Sequence, residues 1–315
     1  MGDVTAEMAL SVGELARSAL SAQVAALLEH EPGVRVGEDI EAVHQMRVAT
    51  RRLRAALSLF GDVAPGDAQA LRGELGWLAD RLGAVRDLDV QLAALGQVAE
   101  ALPATPEALS PVRGWFEARR ATARDELMEC LDSARFAALL SEMVAKARLG
   151  SLAALVSVEV EEWPEGAYVL AVEALPDRLR RRYQRFRKAT RAIDSHSPAP
   201  ELHRARIRAK QLRYSLEFSA PVYGKPARAL IRCATALQDV LGAIQDAVVM
   251  HDHLQAMSLA GRELPPGSIF LAGQLAERFT QRALAGRAEV PRAVRGLRRA
   301  RWTRLARHFD CAASG

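Results

Sequence analysis

His44, Arg47, Arg51 and Arg54 recur later in the chain, in the same order and spacing, as His203, Arg206, Lys210 and Arg213. The offset is constant, since 203 − 44, 206 − 47, 210 − 51 and 213 − 54 all give 159. At about 100° per residue, positions i, i+3, i+7 and i+10 of an α-helix fall within a stripe roughly 80° wide. Each segment therefore lines one histidine and three strong cations along one side. Arginine offers a planar fork of donors that can hold two oxygens of an oxyanion at once, and it never loses its charge. Lys210 adds a point charge to the same row. Rows of this kind suit a polyanion whose charges repeat. They carry no paired carboxylates, so the chemistry they offer is binding rather than bond cleavage.

The elements that must hold these rows are also written in the sequence. In VHQMRVATRRLRAALSLF, from Val43 to Phe60, the residues Met46, Leu53, Leu57 and Phe60 fall on the side of the helix opposite His44. One side can dock on a core while the other presents cations. The same offset extends further. Leu78–Leu95 aligns without a gap to Leu237–Leu254, matching Asp80 to Asp239, Leu82-Gly83-Ala84 to Leu241-Gly242-Ala243, and Asp87 to Asp246. Gly114 then matches Gly273, and Arg119 matches Arg278. Three segments in one register read as an internal duplication of a helical unit much longer than a solenoid repeat.

Apolar periodicity and Pro/Gly punctuation predict four helices per unit, near 6–30, 38–61, 67–101 and 107–147, then 168–194, 199–220, 225–260 and 267–309. Breaks are expected at Pro32–Gly33, at Pro65–Gly66, between Pro103 and Pro106, and between Pro198 and Pro200. Further breaks are expected between Pro221 and Gly224 and at Pro265–Gly267, with Pro291 splitting or kinking the last helix. The expected fold class is all-α: two pseudo-symmetric four-helix bundles. The expected domain spans 6–311, as a first repeat 6–149, a linker 150–166 and a second repeat 167–311. Val156, Val158 and Val160 alternate as a short strand would, but read better as extended linker. A ligand shared by both stripes requires one rigid unit.

Composition narrows the classes. Half of the 315 residues are apolar and only 5% are aromatic, so Leu, Ala and Val must fill a helical core. No apolar run approaches the roughly 20 residues of a membrane span. The first twenty residues have early acids and no basic lead, unlike a secretion signal. Cys130, Cys233 and Cys311 are isolated, which fits a reducing cytoplasm rather than a disulfide framework. The net charge of +5 conceals an asymmetry: residues 1–165 carry 16 Lys and Arg against 26 Asp and Glu, residues 166–315 carry 27 against 12. The first basic helix thus stands in an acidic half, while the second half attracts large anions throughout.

The segments His44-x-x-Arg47-x-x-x-Arg51-Arg52-Leu53-Arg54 and His203-x-x-Arg206-x-x-x-Lys210-Gln211-Leu212-Arg213-Tyr214 resemble the paired motifs of the CHAD domain, a histidine-bearing α-helical domain. The Leu-Gly-x-x-Arg-Asp element at Leu82–Asp87 and its partner ending at Asp246 fit the same family. The resemblance covers nearly the whole chain. It implies two four-helix bundles about a pseudo-twofold axis, with basic residues around a central cavity or cleft. It further implies binding of inorganic polyphosphate and association with polyphosphate granules. The eight residues of the two stripes would then be the ligand contacts. Arg52, Arg208, Tyr214, Arg119 and Arg278 form an outer candidate set; Arg52 and Arg208 fall off the stripe by helical angle. Members of this family are often fused to a triphosphate-tunnel domain with a Glu-x-Glu-x-Lys motif. Glu159-Val160-Glu161 lacks that lysine, so no phosphohydrolase activity is borrowed from the fusion.

Two rivals come from other classes. A nucleic-acid binder uses the same charge, but single-strand binders need stacking faces and only Tyr214 lies near a stripe. An HD-like metal-dependent phosphohydrolase would draw on His203, His251, Asp252 and Asp310. The repeat places Leu92 and Ala93 opposite His251 and Asp252, outside the shared design. Asp87 and Asp246 read as carboxylates that fix arginine rotamers rather than as catalytic acids. His30, His196 and His308 read as surface residues. The expectation is a protein with no catalytic residue, metal, cofactor or membrane contact.

Overall fold

The structure is a computed structural model that describes residues 10–100, 105–147, 163–260, 264–297 and 299–312. The protein is all-α. Among the described residues no strand forms, and the only β-type pairing is an isolated antiparallel bridge between Ser11 and Leu170. The helices are α1 (Val12–Val36), α2 (Ile40–Phe60), α3 (Ala68–Ala99), α4 (Pro106–Asp132), α5 (Ala134–Ala147), α6 (Ala171–Thr190), α7 (Ala199–Ala260), α8 (Pro266–Gly296) and α9 (Arg299–Ala312).

Local chemistry sets the ends of the helices that matter most. Ser11 and Glu14 form a reciprocal capping box at the start of α1. The α1 helix does not stop at Pro32–Gly33. It runs to Val36 and ends on Gly37, whose positive φ is the left-handed conformation of a C-terminal glycine. Arg124 closes that end by donating to the carbonyls of Val34 (3.0 Å) and Arg35 (2.8 Å). Asp39 then caps α2 by accepting from the Glu41 amide, and Asp67 caps α3 through Gln69 and Ala70.

Two further breaks differ from the expected ones. The expected 107–147 helix divides at Ser133, whose hydroxyl donates to the Cys130 carbonyl and accepts from the Phe136 amide. The expected break between Pro221 and Gly224 is present: the two helical parts of α7 meet at a kink at Gly224, whose backbone is not helical (φ 52°, ψ −129°). Pro291 lies inside α8, and the chain leaves that helix only after Gly296. Prolines 32, 111, 176, 221 and 291 all sit within helices. The expected strand-or-linker residues Val156, Val158 and Val160, with positions 150–162 of the expected linker, lie outside the described residues. Glu165–Tyr168 forms a 3-10 turn leading to α6.

One hydrophobic core runs through both halves. The apolar side of α2 docks as expected, with Met46, Leu53, Leu57 and Phe60 all at most 2% exposed. α2 packs on α1 and α3 of its own half and also on α7, while α4 packs on α8. Phe60 meets Phe218 with ring centroids 6.1 Å apart. The offset of the sequence repeat reappears in these contacts. Val12 donates to the Val169 carbonyl, and Ala171 to the Leu10 carbonyl, both at 2.8 Å. These are the two bonds of the antiparallel bridge between Ser11 and Leu170, residues separated by the same 159 positions as the matched segments.

Since Leu53 sits at the centre of this packing, Leu53→Ala should lower stability by about 2–5 kcal/mol. Denaturant unfolding measures this, and a loss under about 0.5 kcal/mol would contradict the packing described for α2.

Candidate functional site

The cationic sides of α2 and α7 turn toward each other. Arg47, Arg51, Arg206 and Lys210 lie close enough for the other three to depress the charge of Lys210. Burial is the larger cause, and together these effects push the Lys210 ammonium down to about 7. Burial also lowers Arg51, reinforced by Arg47 and Arg213 and opposed by Tyr214 and Asp87. Arg47 lies across Gly83 and Arg206 across Gly242, the two glycines of the matched Leu-Gly-Ala elements. A Cβ at Gly83 would stand 3.5 Å from the Arg47 Nε, and one at Gly242 would stand 3.9 Å from the Arg206 Nη2. The same arginine–glycine contact thus occurs in each half.

Two carboxylates share the cleft. Asp87 accepts from the Arg47 Nη2 at 3.3 Å, in the orienting role expected of it. Asp246 faces Arg206, Lys210 and Arg47, but lies near Asp87 as well. Its side chain is reached by solvent, yet the surrounding cleft walls crowd it, and this burial raises its pKa above the ordinary value. Two carboxylates stand against Arg47, Arg51, Arg206 and Lys210, so cations outnumber acids in the cleft. Among the described residues, the Arg51 Nε, the Arg206 Nε and the His44 Nδ1 are buried without a hydrogen-bond partner. Burial lowers the His44 pKa, and Arg86, Arg51 and Arg47 lower it further against Glu41.

The remaining candidates are placed differently. Arg54 is exposed above Gly76, and His203 is exposed at the start of α7. Arg213 lies over the Tyr214 ring (4.8 Å) and pairs with Glu217 (3.4 Å). Tyr214 is only 5% exposed. Arg52 pairs with Glu217 across the α2–α7 junction at 3.3 Å and lies over the Tyr214 and Phe218 rings, so it ties the halves together. Arg208 bonds Gln211 and faces Arg182 on α6 instead of the cleft cations. Arg119 stacks on Trp115 at 4.0 Å, beside His253. Arg278 is exposed on α8 in a depression with Ile269 and Phe270, which no cleft cation lines.

Sequence reasoning passed over Arg86, although it stands in the matched Leu-Gly-x-x-Arg-Asp element and faces His44. It also passed over His253, which bonds the buried Gln91 at 2.9 Å and meets the Trp115 and Phe116 rings, joining α7 to the first half. Of the HD-like rival's residues, the described His203, His251 and Asp252 do not assemble into a metal-ligand group. His251 contacts its neighbour Asp252, and no group of three or more potential metal ligands forms among the described residues. The side chain of Asp310 lies outside them.

Known proteins resemble this chain along most of its length. The CHAD domain model matches residues 18–255. The chain belongs to the CHAD domain family. The crystal structure of the CHAD domain from the plant Ricinus communis superposes with a TM-score of 0.73 at 27% identity, covering 92% of this chain and 94% of that one. PptA from Streptomyces chartreusis superposes with a TM-score of 0.67 at 18% identity, over 90% of this chain and 99% of its own, and shows the fold alone. The uncharacterized protein Rv2226 of Mycobacterium tuberculosis (strain ATCC 25618 / H37Rv) is 30% identical over 305 residues, which cover 89% of this chain and 54% of that protein. The uncharacterized protein MT2285 of strain CDC 1551 / Oshkosh is 29% identical over 305 residues, with the same coverage. The chain thus spans about half the length of the curated relatives it matches. Among the described residues no helix is long and apolar enough to cross a membrane.

The crowding of Lys210 has a signed consequence. The unfolded chain keeps this proton up to the ordinary 10.5, whereas the folded chain releases it near 7. Between these values the unfolded state binds more protons, so this group makes the free protein more stable as pH rises. The melting temperature should climb between about pH 7 and 9, and Lys210→Met should remove most of that climb. A slope unchanged by the substitution would mean that Lys210 titrates near its ordinary value.

Proposed function

We propose that the protein binds inorganic polyphosphate in the cleft between α2 and α7, without chemical turnover. The observation that carries this reading is the cluster of Arg47, Arg51, Arg206 and Lys210, where burial first and the neighbouring cations second bring the Lys210 ammonium down to about 7. Cations brought together and partly desolvated cost free energy in the free protein. A ligand with a dense, repeating negative charge relieves that repulsion and supplies acceptors to the buried donors on Arg51 and Arg206. Membership of the CHAD family supports the reading, through the polyphosphate binding that the resemblance implies.

In this account the primary contacts are Arg47, Arg51, Arg54, Arg206, Lys210 and Arg213, with His44 and His203 at the ends of the rows. Asp87 orients Arg47. Asp246 keeps the cleft from being purely cationic and gives way as a phosphate approaches. A chain of phosphates touching several cations binds tightly because each added contact costs little further association entropy. No step of bond cleavage is assigned to any of these residues. The protein works in the cytoplasm, at the surface of polyphosphate granules.

Competition at one fixed salt concentration tests the ligand class. Long-chain polyphosphate should displace single-stranded RNA and DNA of equal charge, since the cleft sets cations rather than exposed aromatic faces toward the ligand. Equal or weaker binding of polyphosphate would replace this reading by a nucleic-acid one.

Binding should also take up a proton. A polyanion favours the charged form of Lys210 and raises its pKa, so affinity should rise as pH falls from about 8 to about 6. Lys210→Arg, which keeps its charge, should flatten most of this dependence. A wild-type affinity that stays flat over that range would remove Lys210 from the contact set.

A further inference from the structure

A second group of arginines lies away from the two rows. Where α6 crosses the C-terminal end of α2, a cavity of about 310 Å³ is lined by Arg72, Arg178, Arg181, Arg182 and Arg185. Asp62 is the one carboxylate residue in the lining, and it is already committed. Arg178 grips it through both terminal nitrogens and also donates to the Leu59 carbonyl at 2.7 Å. Arg182 is held by the Ser58 carbonyl and hydroxyl. These two arginines fix the floor and join the second half to the first.

The other three have no comparable anchor. Arg72 bonds Gln69 through one terminal nitrogen, while its buried Nε has no partner among the described residues. Arg181 and Arg185 are exposed, one turn apart on α6. Arg182 is surrounded by Arg185, Arg72, Arg208 and Arg181; burial first, then these neighbours, push it down to about 10. Four guanidinium groups around a fifth, against one neutralised carboxylate, form a concave site with a surplus of planar donors. A phosphate group fits such a surplus, because guanidinium forks match its tetrahedral oxygens.

The position of the pocket separates it from the cleft. Arg208 follows Arg206 by two residues and precedes Lys210 by two, so it points to the opposite side of α7. Arg206 and Lys210 serve the cleft, while Arg208 faces Arg182. Ser58 continues the cationic face of α2 two turns beyond Arg51, about 10 Å along the axis. The pocket therefore lies at the C-terminal end of α2, along that helix from Arg51, where the Arg178 and Arg182 anchors of α6 grip it.

We propose that this arginine pocket is a second oxyanion site, which takes a phosphate group separately from the cleft. The inference rests on the polyphosphate reading only for the identity of the cleft ligand; the pocket has its own cations and its own test. The group bound there is either the end of a phosphate chain or a free small phosphate, and both present the same tetrahedral oxyanion.

Calorimetric titration of the whole chain with tripolyphosphate, at fixed ionic strength, counts the sites. Wild type should bind two equivalents. Arg181→Gln with Arg185→Gln removes two exposed cations while leaving the Arg178 and Arg182 anchors intact. It should keep the cleft equivalent and lose the other, with affinity at the pocket falling at least tenfold. Arg47→Ala with Lys210→Ala should keep the pocket equivalent. Arg304→Gln with Arg307→Gln makes the same charge change on α9 and should keep both. Repeating the titration with orthophosphate separates the sources: saturation of the pocket identifies a free-phosphate site, and binding of tripolyphosphate alone identifies a chain-end site. The proposal is overturned if wild type binds one equivalent that only the cleft variant removes, or if the pocket variant keeps both. A cleft variant that keeps both equivalents would count against the polyphosphate cleft and leave the pocket standing.

Discussion

Like charges crowded against one another must be held there by something else, and this constraint organises the molecule. Arg47, Arg51, Arg206 and Lys210 repel across the α2–α7 cleft strongly enough to bring Lys210, already burdened by burial, to about 7. The opposing force comes from the far sides of the same helices. Met46, Leu53, Leu57 and Phe60 of α2, and Leu212 and Leu216 of α7, are buried in a continuous core. Burial of such side chains contributes about 1.5–3 kcal/mol each, which offsets the cost of the cationic side. The Arg52–Glu217 pair, the Phe60–Phe218 contact and the Arg178–Asp62 pair then join the two halves around the cleft.

Such an arrangement is prepared for an anion before one arrives. Arg47, Arg54 and Arg206 lie over glycines and Arg213 over an aromatic ring, so packing sets their orientation before any ligand arrives. The free protein carries the strain as a depressed lysine and as buried donors without partners. An incoming polyanion therefore meets cations already gathered and partly stripped of water, and little ordering remains to be done.

The sequence carried much of this, and the reasons for the rest are physical. The α2 boundaries and its buried face followed from helical periodicity, and the matched positions of the two rows from one register shared by the two halves; that the rows share a cleft was implied by the family resemblance. Proline positions misled at Pro32 and Pro291, because tertiary packing carries a helix past one missing hydrogen bond. The division at Ser133 has no Gly or Pro to mark it, only a serine able to bond both neighbouring turns. Arg52 looked like a rim contact by angle, but Glu217 approaches from the other half and claims it. The pocket around Arg182 was hidden because most of its arginines belong to a half that is cationic almost throughout. Only the crossing of α6 over the end of α2 gathers them. His253 likewise gained its place from Gln91, 162 positions away.

The central claim is that the two rows act as one site on one ligand, and affinity for long-chain polyphosphate in three paired variants tests it most directly. Arg47→Ala with Arg51→Ala, and separately Arg206→Ala with Lys210→Ala, should each weaken binding by about 100-fold or more, since a charge-assisted contact is worth about 1.5–3 kcal/mol. Arg304→Ala with Arg307→Ala, on the exposed side of α9, should change it by less than about threefold, in line with a distant screened charge. A first-row variant that binds like wild type, while the α9 pair does the damage, would show that the diffuse positive field of the second half binds the ligand and that the paired rows are scaffold.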